Sequence, residues 1–145
     1  MVPRYVHWAG AKETASNIAA LQSANEPDSE RWVSLFLGPD HEEETEAFLA
    51  HLRQAGVRCI GALFPGLIVG DHVARQGVIV ADWELLCAPI TAVPTTEGLR
   101  WESPLPSVGA FADEPITVLI MVDFWSAHIT SVLDDLFDRY GDRIK

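Results

Sequence analysis

Asp123, Ser126 and His128 fall within six consecutive positions, and they are the residue types of an acyl-transfer triad: a nucleophile, its base and a group that orients the base. Their placement argues for a plainer role. The three stand where a strongly apolar run, 116–122, gives way to an amphipathic stretch, so Ser126 is placed to cap a helix and His128 to lie in its exposed first turn. No Gly-x-Ser-x-Gly turn lifts the serine out as a nucleophile. We expect no catalytic residues and no enzyme. Asp123 keeps its interest as a binding residue, because it closes the apolar run and open α/β sheets gather ligands at the carboxyl ends of their strands.

Residues 60–69 read Ile-Gly-Ala-Leu-Phe-Pro-Gly-Leu-Ile-Val, an apolar run interrupted by two glycines and a proline. Such a run reads as a shaped apolar loop that sets backbone N–H and C=O groups beside Phe64 and Leu67. Gly61, Phe64, Pro65 and Gly66 are therefore candidate contacts for a small ligand, with Asp123 as the charged group. His7, His41, His51, His72 and His128 are scattered, with no His-x-x-x-His pair and no Cys-x-x-Cys, so no metal site is expected. Cys59 and Cys87 both stand in apolar surroundings and read as buried free thiols. The acidic runs 40–46 and 134–142 read as solvated helix faces, Asp135 being followed at i+4 by Arg139.

The elements that must position these residues follow from periodicity. Residues 5–8 suggest a short strand and 11–24 a helix with Ile18 and Leu21 on its apolar side. Residues 32–37 are nearly all apolar, as in a strand buried on both faces. Gly38 and Pro39 turn the chain. Asp40, with Glu43 three positions on, predicts a capped helix to about residue 55, with an apolar stripe of Thr45, Phe48, Leu49 and Leu52 and a terminating Gly56. A strand over 57–61 then completes a βαβ unit, whose strands should be parallel. Further strands are expected at 77–82 and 84–92.

Five of the nine prolines lie between residues 89 and 115, so 94–114 is expected to be a long proline-rich loop, anchored by Trp101 and Phe111. The run 116–122 predicts a central strand. After it, Ile129, Val132, Leu133, Leu136, Phe137 and Tyr140 form a helical stripe that ends at Gly141, and 142–145 resemble the start of another strand. The expected architecture is a single α/β domain over 1–145, with a mixed sheet containing at least one βαβ unit and flanking helices.

The chain has 145 residues, with 10 Lys and Arg against 21 Asp and Glu, a net charge of −11. A phosphate backbone or an anionic membrane face would be repelled over most of such a surface, so neither nucleic acid nor membrane is an expected partner. The first residues lack the apolar core of a signal peptide and the longest apolar run is too short to span a bilayer, which points to the cytoplasm.

The Gly-Ala-Leu-Phe-Pro-Gly-Leu-Ile stretch at 61–68, the strand Gly-Val-Ile-Val-Ala from 77, and the run, Asp123 and helix over 116–140 together resemble the N-terminal half of FIST-domain proteins. The resemblance spans nearly the whole chain and keeps the order of elements. It implies a sensory input domain of bacterial or archaeal signal transduction that binds small ligands such as amino acids. It also implies that these residues are the N-terminal half of a longer architecture, with a glycine-rich segment and a C-terminal half after the position of Lys145. A signalling protein, a separate chain supplying that half, or a second copy of this chain would then be its protein partners. Some members of the family are associated with haem and nitric oxide sensing. On that reading His72, just beyond the Phe-Pro-Gly loop, is the candidate haem ligand, in a pocket with Phe64, Leu67 and a tryptophan.

Overall fold

The computed structural model describes residues 3–23, 31–83, 85, 87–96, 98–111, 115–121 and 127–144. They fall into two compact units, one ending at Leu85 and one beginning at Leu86.

In the first unit, β1 (Arg4–Val6) leads to α1 (Ala11–Ser23), and β2 (Trp32–Leu37) to a 3₁₀ turn at Pro39–Glu44 and then α2 (Thr45–Gln54). After these come β3 (Cys59–Leu63), β4 (Leu67–Val69), β5 (His72–Ala74) and β6 (Val78–Trp83). Four of the strands make one sheet in the order β1-β6-β2-β3. Strands β2 and β3 are parallel and joined through α2, while β6 runs antiparallel to both β2 and β1. This is the expected α/β arrangement: a mixed sheet with one βαβ unit and flanking helices.

The core explains the pattern. Val33, Leu35 and Leu37, alternate residues of β2, meet Val78 and Val80 of β6 and are roofed by Ala15 and Ile18 of α1 and Phe48 and Leu52 of α2. Ser34, on the face opposite Val33 and Leu35, is buried as well, so β2 is covered on both faces, as its nearly continuous apolar run implied. Phe48 and Leu52 are fully buried, each contributing about 1.5–3 kcal/mol by leaving water. Gly56 ends the helical segment at φ +74, a conformation that favours glycine.

The capping box at Asp40 does not form. With Pro39 in the first turn the chain takes a 3₁₀ path, no side chain caps either the turn or α2, and the Asp40 carboxylate accepts from Arg75 Nε at 3.0 Å. The loop expected over 60–69 is also shorter. Gly61 lies inside β3, and β4 and β5 form an antiparallel hairpin in which Val69 faces His72, leaving only 64–66 irregular.

In the second unit, β7 (Ala92–Thr95) and β8 (Gly98–Trp101) pair antiparallel, so residues 94–114 begin with the greater part of a hairpin. Pro94 is tolerated there because a two-stranded sheet consists of edges. Helix α3 (Ile129–Tyr140) buries Val132, Leu136 and Tyr140 against Ile116, with Trp101, Leu105 and Phe111 packed around them. Ile129 and Phe137 stay 40% and 54% exposed, so the buried stripe is narrower than its spacing implies. Among the described residues of the run expected as a central strand, 116–121, only Ile116 is paired, through a parallel bridge to Ile144, and Leu119 is half exposed. An apolar run becomes a strand only where a neighbour takes its hydrogen bonds. Cys87 is exposed and Cys59 half-buried, which corrects the expectation of two buried thiols. Among the described residues no helix is long and apolar enough to cross a membrane.

Candidate functional site

The glycines of the Phe-Pro-Gly segment have structural causes. A Cβ on Gly61 would stand 2.4 Å from the Leu35 carbonyl oxygen, so glycine lets β3 approach β2. A Cβ on Gly66 would meet Val73 Cγ1 at 2.6 Å, at the mouth of the β4–β5 hairpin. Phe64 is half-buried with its ring 5.3 Å from that of Phe36, and its N–H donates to the Leu37 carbonyl at 2.9 Å, so the side chain anchors the turn. Pro65 is exposed. The segment is tied down by strand pairing and ring contact, and the hairpin beyond it exposes Ile68 and Val73. Asp123 and Ser126 lie outside the described residues.

His72 does not suit haem. Its side chain is 65% exposed, with Nδ1 3.4 Å from the neighbouring Asp71 carboxylate, and Phe64 is turned to Phe36. An imidazole this open to water would leave a porphyrin it held in solvent.

A site that periodicity did not reveal lies in the second unit. A groove of about 500 Å³ runs between α3 and the chain after β8, lined by Trp101, Pro104, Leu105, Asp135, Asp138 and Arg139. Four hydrogen bonds hold its walls together. Trp101 Nε1–H donates to Asp135 Oδ2 at 2.9 Å, Arg139 to the Leu105 carbonyl at 2.9 Å, Tyr140 O–H to the Pro106 carbonyl at 2.9 Å, and Arg143 to the Val108 carbonyl at 3.0 Å. Burial pushes the Tyr140 phenol up, against the opposing field of Arg139, so it stays a hydrogen-bond donor.

The groove sets two carboxylates and one guanidinium beside an indole, a proline and a leucine. Its size falls within the range of small-molecule sites. Guanidinium geometry matches a carboxylate, and the two aspartates offer acceptors to an ammonium group. The i, i+4 spacing of Asp135 and Arg139 was the available signal, but these side chains reach across to Trp101 and Leu105. That choice depends on a segment some thirty residues earlier in the chain. Compared with known proteins, the chain matches no protein-family model, no curated protein and no solved structure.

Proposed function

We propose that this chain is a cytoplasmic sensory input domain that binds a small, amino-acid-like zwitterion in the groove over α3. The observation that carries the proposal is the meeting of both charge signs beside apolar side chains: Arg139 for a ligand carboxylate, Asp135 and Asp138 for its ammonium, and Trp101 and Leu105 for its side chain. The resemblance to FIST-domain proteins supports the same ligand class and a signalling role. The reading is of a binding domain without catalysis, and the two free cysteines suit a reducing compartment.

A thermal melt of the chain with each of a panel of amino acids tests it. A ligand at about 100 times its Kd adds roughly 2.7 kcal/mol, a shift of several degrees for a domain of this size. Asp138 has an exposed side chain, so Asp138→Asn should leave the unliganded melt unchanged and abolish the shift. No response to any amino acid, or one that Asp138→Asn preserves, would overturn the proposal.

A second reading, an interaction module completed by another chain, is favoured by one observation. Residues 117–121, apolar from Val118 on, follow the Ile116 bridge without ladder pairing, and Leu119 is 51% exposed. A run of this kind can become a strand by pairing with another chain, so concentration-dependent dimers or a stoichiometric co-purifying chain would support this reading.

A further inference from the structure

His41 is the one histidine that is buried among the described residues, 4% exposed in the 3₁₀ turn between β2 and α2. Its ring lies flat on the Trp8 indole, with centroids 3.9 Å apart and planes 15° from parallel. Its Nε2 accepts the backbone N–H of Gly77 at 2.8 Å. An imidazole nitrogen that accepts carries no proton, so the proton of this neutral ring sits on Nδ1.

The bond from Gly77 belongs to a clasp between two pieces of backbone. Gly38 N–H donates to the Gly77 carbonyl at 3.0 Å, Asp40 N–H to the Arg75 carbonyl at 3.3 Å, and Arg75 Nε to the Asp40 carboxylate at 3.0 Å. The approach is close enough that a Cβ on Gly38 would stand 2.1 Å from the Arg75 carbonyl oxygen. Residues 75–77 are thereby held between β5 and β6, immediately after the β4–β5 hairpin whose Ile68 and Val73 are 76% and 67% exposed.

We propose that His41 is an acid-released latch: the neutral ring holds residues 75–77 and the preceding hairpin against the 3₁₀ turn, and a proton on Nε2 opens the clasp. The imidazolium has two donors and no acceptor, so Nε2–H would confront Gly77 N–H and leave a buried amide without a partner. The surrounding groups compete over that proton. Glu44 and Asp40, on the same turn, favour the cation, as does the face of the Trp8 indole. Arg75, from the segment before β6, is paired with Asp40 and offsets part of its field. From α2 the groups are uncharged: the Thr45 hydroxyl donates to the His41 carbonyl at 2.9 Å, and the Phe48 ring contacts Trp8. Burial outweighs the two carboxylates and holds His41 below its ordinary value of 6.5, so the neutral latch is the state near neutrality. Residues 75–77 are also held by the Tyr5 hydroxyl, which donates to the Gln76 carbonyl at 2.9 Å, and the hairpin by buried Leu67, while its exposed Ile68 and Val73 mark a segment that opens locally before the whole unfolds.

The test is amide exchange and imidazole ¹⁵N spectroscopy on the full chain from about pH 7.5 to about pH 5, the exchange corrected for its intrinsic pH dependence. Protection of the Gly77 amide is expected to fall by about tenfold for each pH unit below the His41 titration, while Leu35 in the central strand keeps its protection. His41→Gln, whose amide oxygen can accept the same N–H without titrating, should remove the pH dependence. Gly77 protection that stays flat in the unsubstituted chain, or that falls equally in His41→Gln, would overturn the latch. If that variant does not fold, the ring spectrum of the unsubstituted chain decides. An Nε2 resonance of acceptor type that is lost in step with Gly77 protection supports the latch, and a protonated Nε2 at neutral pH overturns it.

Discussion

The Trp101 indole N–H donates to the Asp135 carboxylate at 2.9 Å, linking the end of β8 to the second turn of α3 across 34 residues of sequence. The contact does two things at once. It fixes one wall of the charged groove, and it orients a carboxylate that would otherwise turn freely in solvent. Arg139, Tyr140 and Arg143 repeat the pattern one, one and two turns further on, each donating to a main-chain carbonyl between residues 105 and 108.

Trp101→Phe keeps an aromatic ring in the groove and removes only the donor. Because the bond is solvent-exposed, the unfolding free energy should fall by no more than about 1 kcal/mol. Affinity for a zwitterion in the groove should fall further than stability does, because Asp135 loses its orientation. Calorimetric titration beside a denaturant midpoint separates the two effects.

The approach of β2 and β3 makes Gly61 sensitive to a single methyl group. Gly61→Ala puts a Cβ against the Leu35 carbonyl and should cost about 1–3 kcal/mol through overpacking and strand displacement. Gly109→Ala is the control: nothing lies within 4 Å of the added Cβ, and the melt should be nearly unchanged. Equal melts for the two variants would contradict the observed packing.

Leu52 tests the roof of the sheet. It is fully buried between α2 and the β2–β6 face, so Leu52→Ala should cost about 2–5 kcal/mol from lost transfer energy and the cavity left behind. Leu49→Ala, at a half-buried neighbouring position, should cost clearly less. Urea midpoints of the pair measure the difference.

Burial gives His41 a definite pH signature. The folded-state value lies below the ordinary 6.5, so between those two values the unfolded chain binds more protons than the folded one. Stability from this residue is therefore complete above about pH 6.5 and drains away as the pH falls through the depressed value. Unfolding free energies of the unsubstituted chain and His41→Gln should run parallel above about pH 7 and converge or cross below about pH 6. Parallel curves throughout would remove the effect.

Much of the first unit was legible in the order of its residues. The apolar run at 32–37 is β2 with those bounds, the stripe of Phe48 and Leu52 is the buried face of α2, and Gly56 ends the helix as its position suggested. These are local signals, in which period, propensity and turn residues agree. The signals that failed had a distant competitor. Asp40 and Glu43 spell a capping box, yet Asp40 binds Arg75, 35 positions away, and Pro39 sets a 3₁₀ path. The glycines of the 60–69 run suggest a loop because they break regular structure. Gly61 is instead the position that admits the backbone of a neighbouring strand, a fact only the neighbour could supply.

For function the division is sharper. Composition by itself determined an acidic chain with a net charge of −11, and periodicity determined an α/β class with a parallel βαβ pair. Tertiary structure decided which side chains meet. It turned the Phe-Pro-Gly segment into an anchored hairpin turn, left His72 in solvent, and gathered Trp101, Asp135, Asp138 and Arg139 around one groove. It also buried His41 alone of the five histidines under an indole, where one backbone N–H makes its protonation costly. The physical reason is common to all these cases. Periodicity reports which face of an element is apolar, whereas a charged or titratable group takes its chemistry from whatever distant segment satisfies its hydrogen bonds and excludes its water.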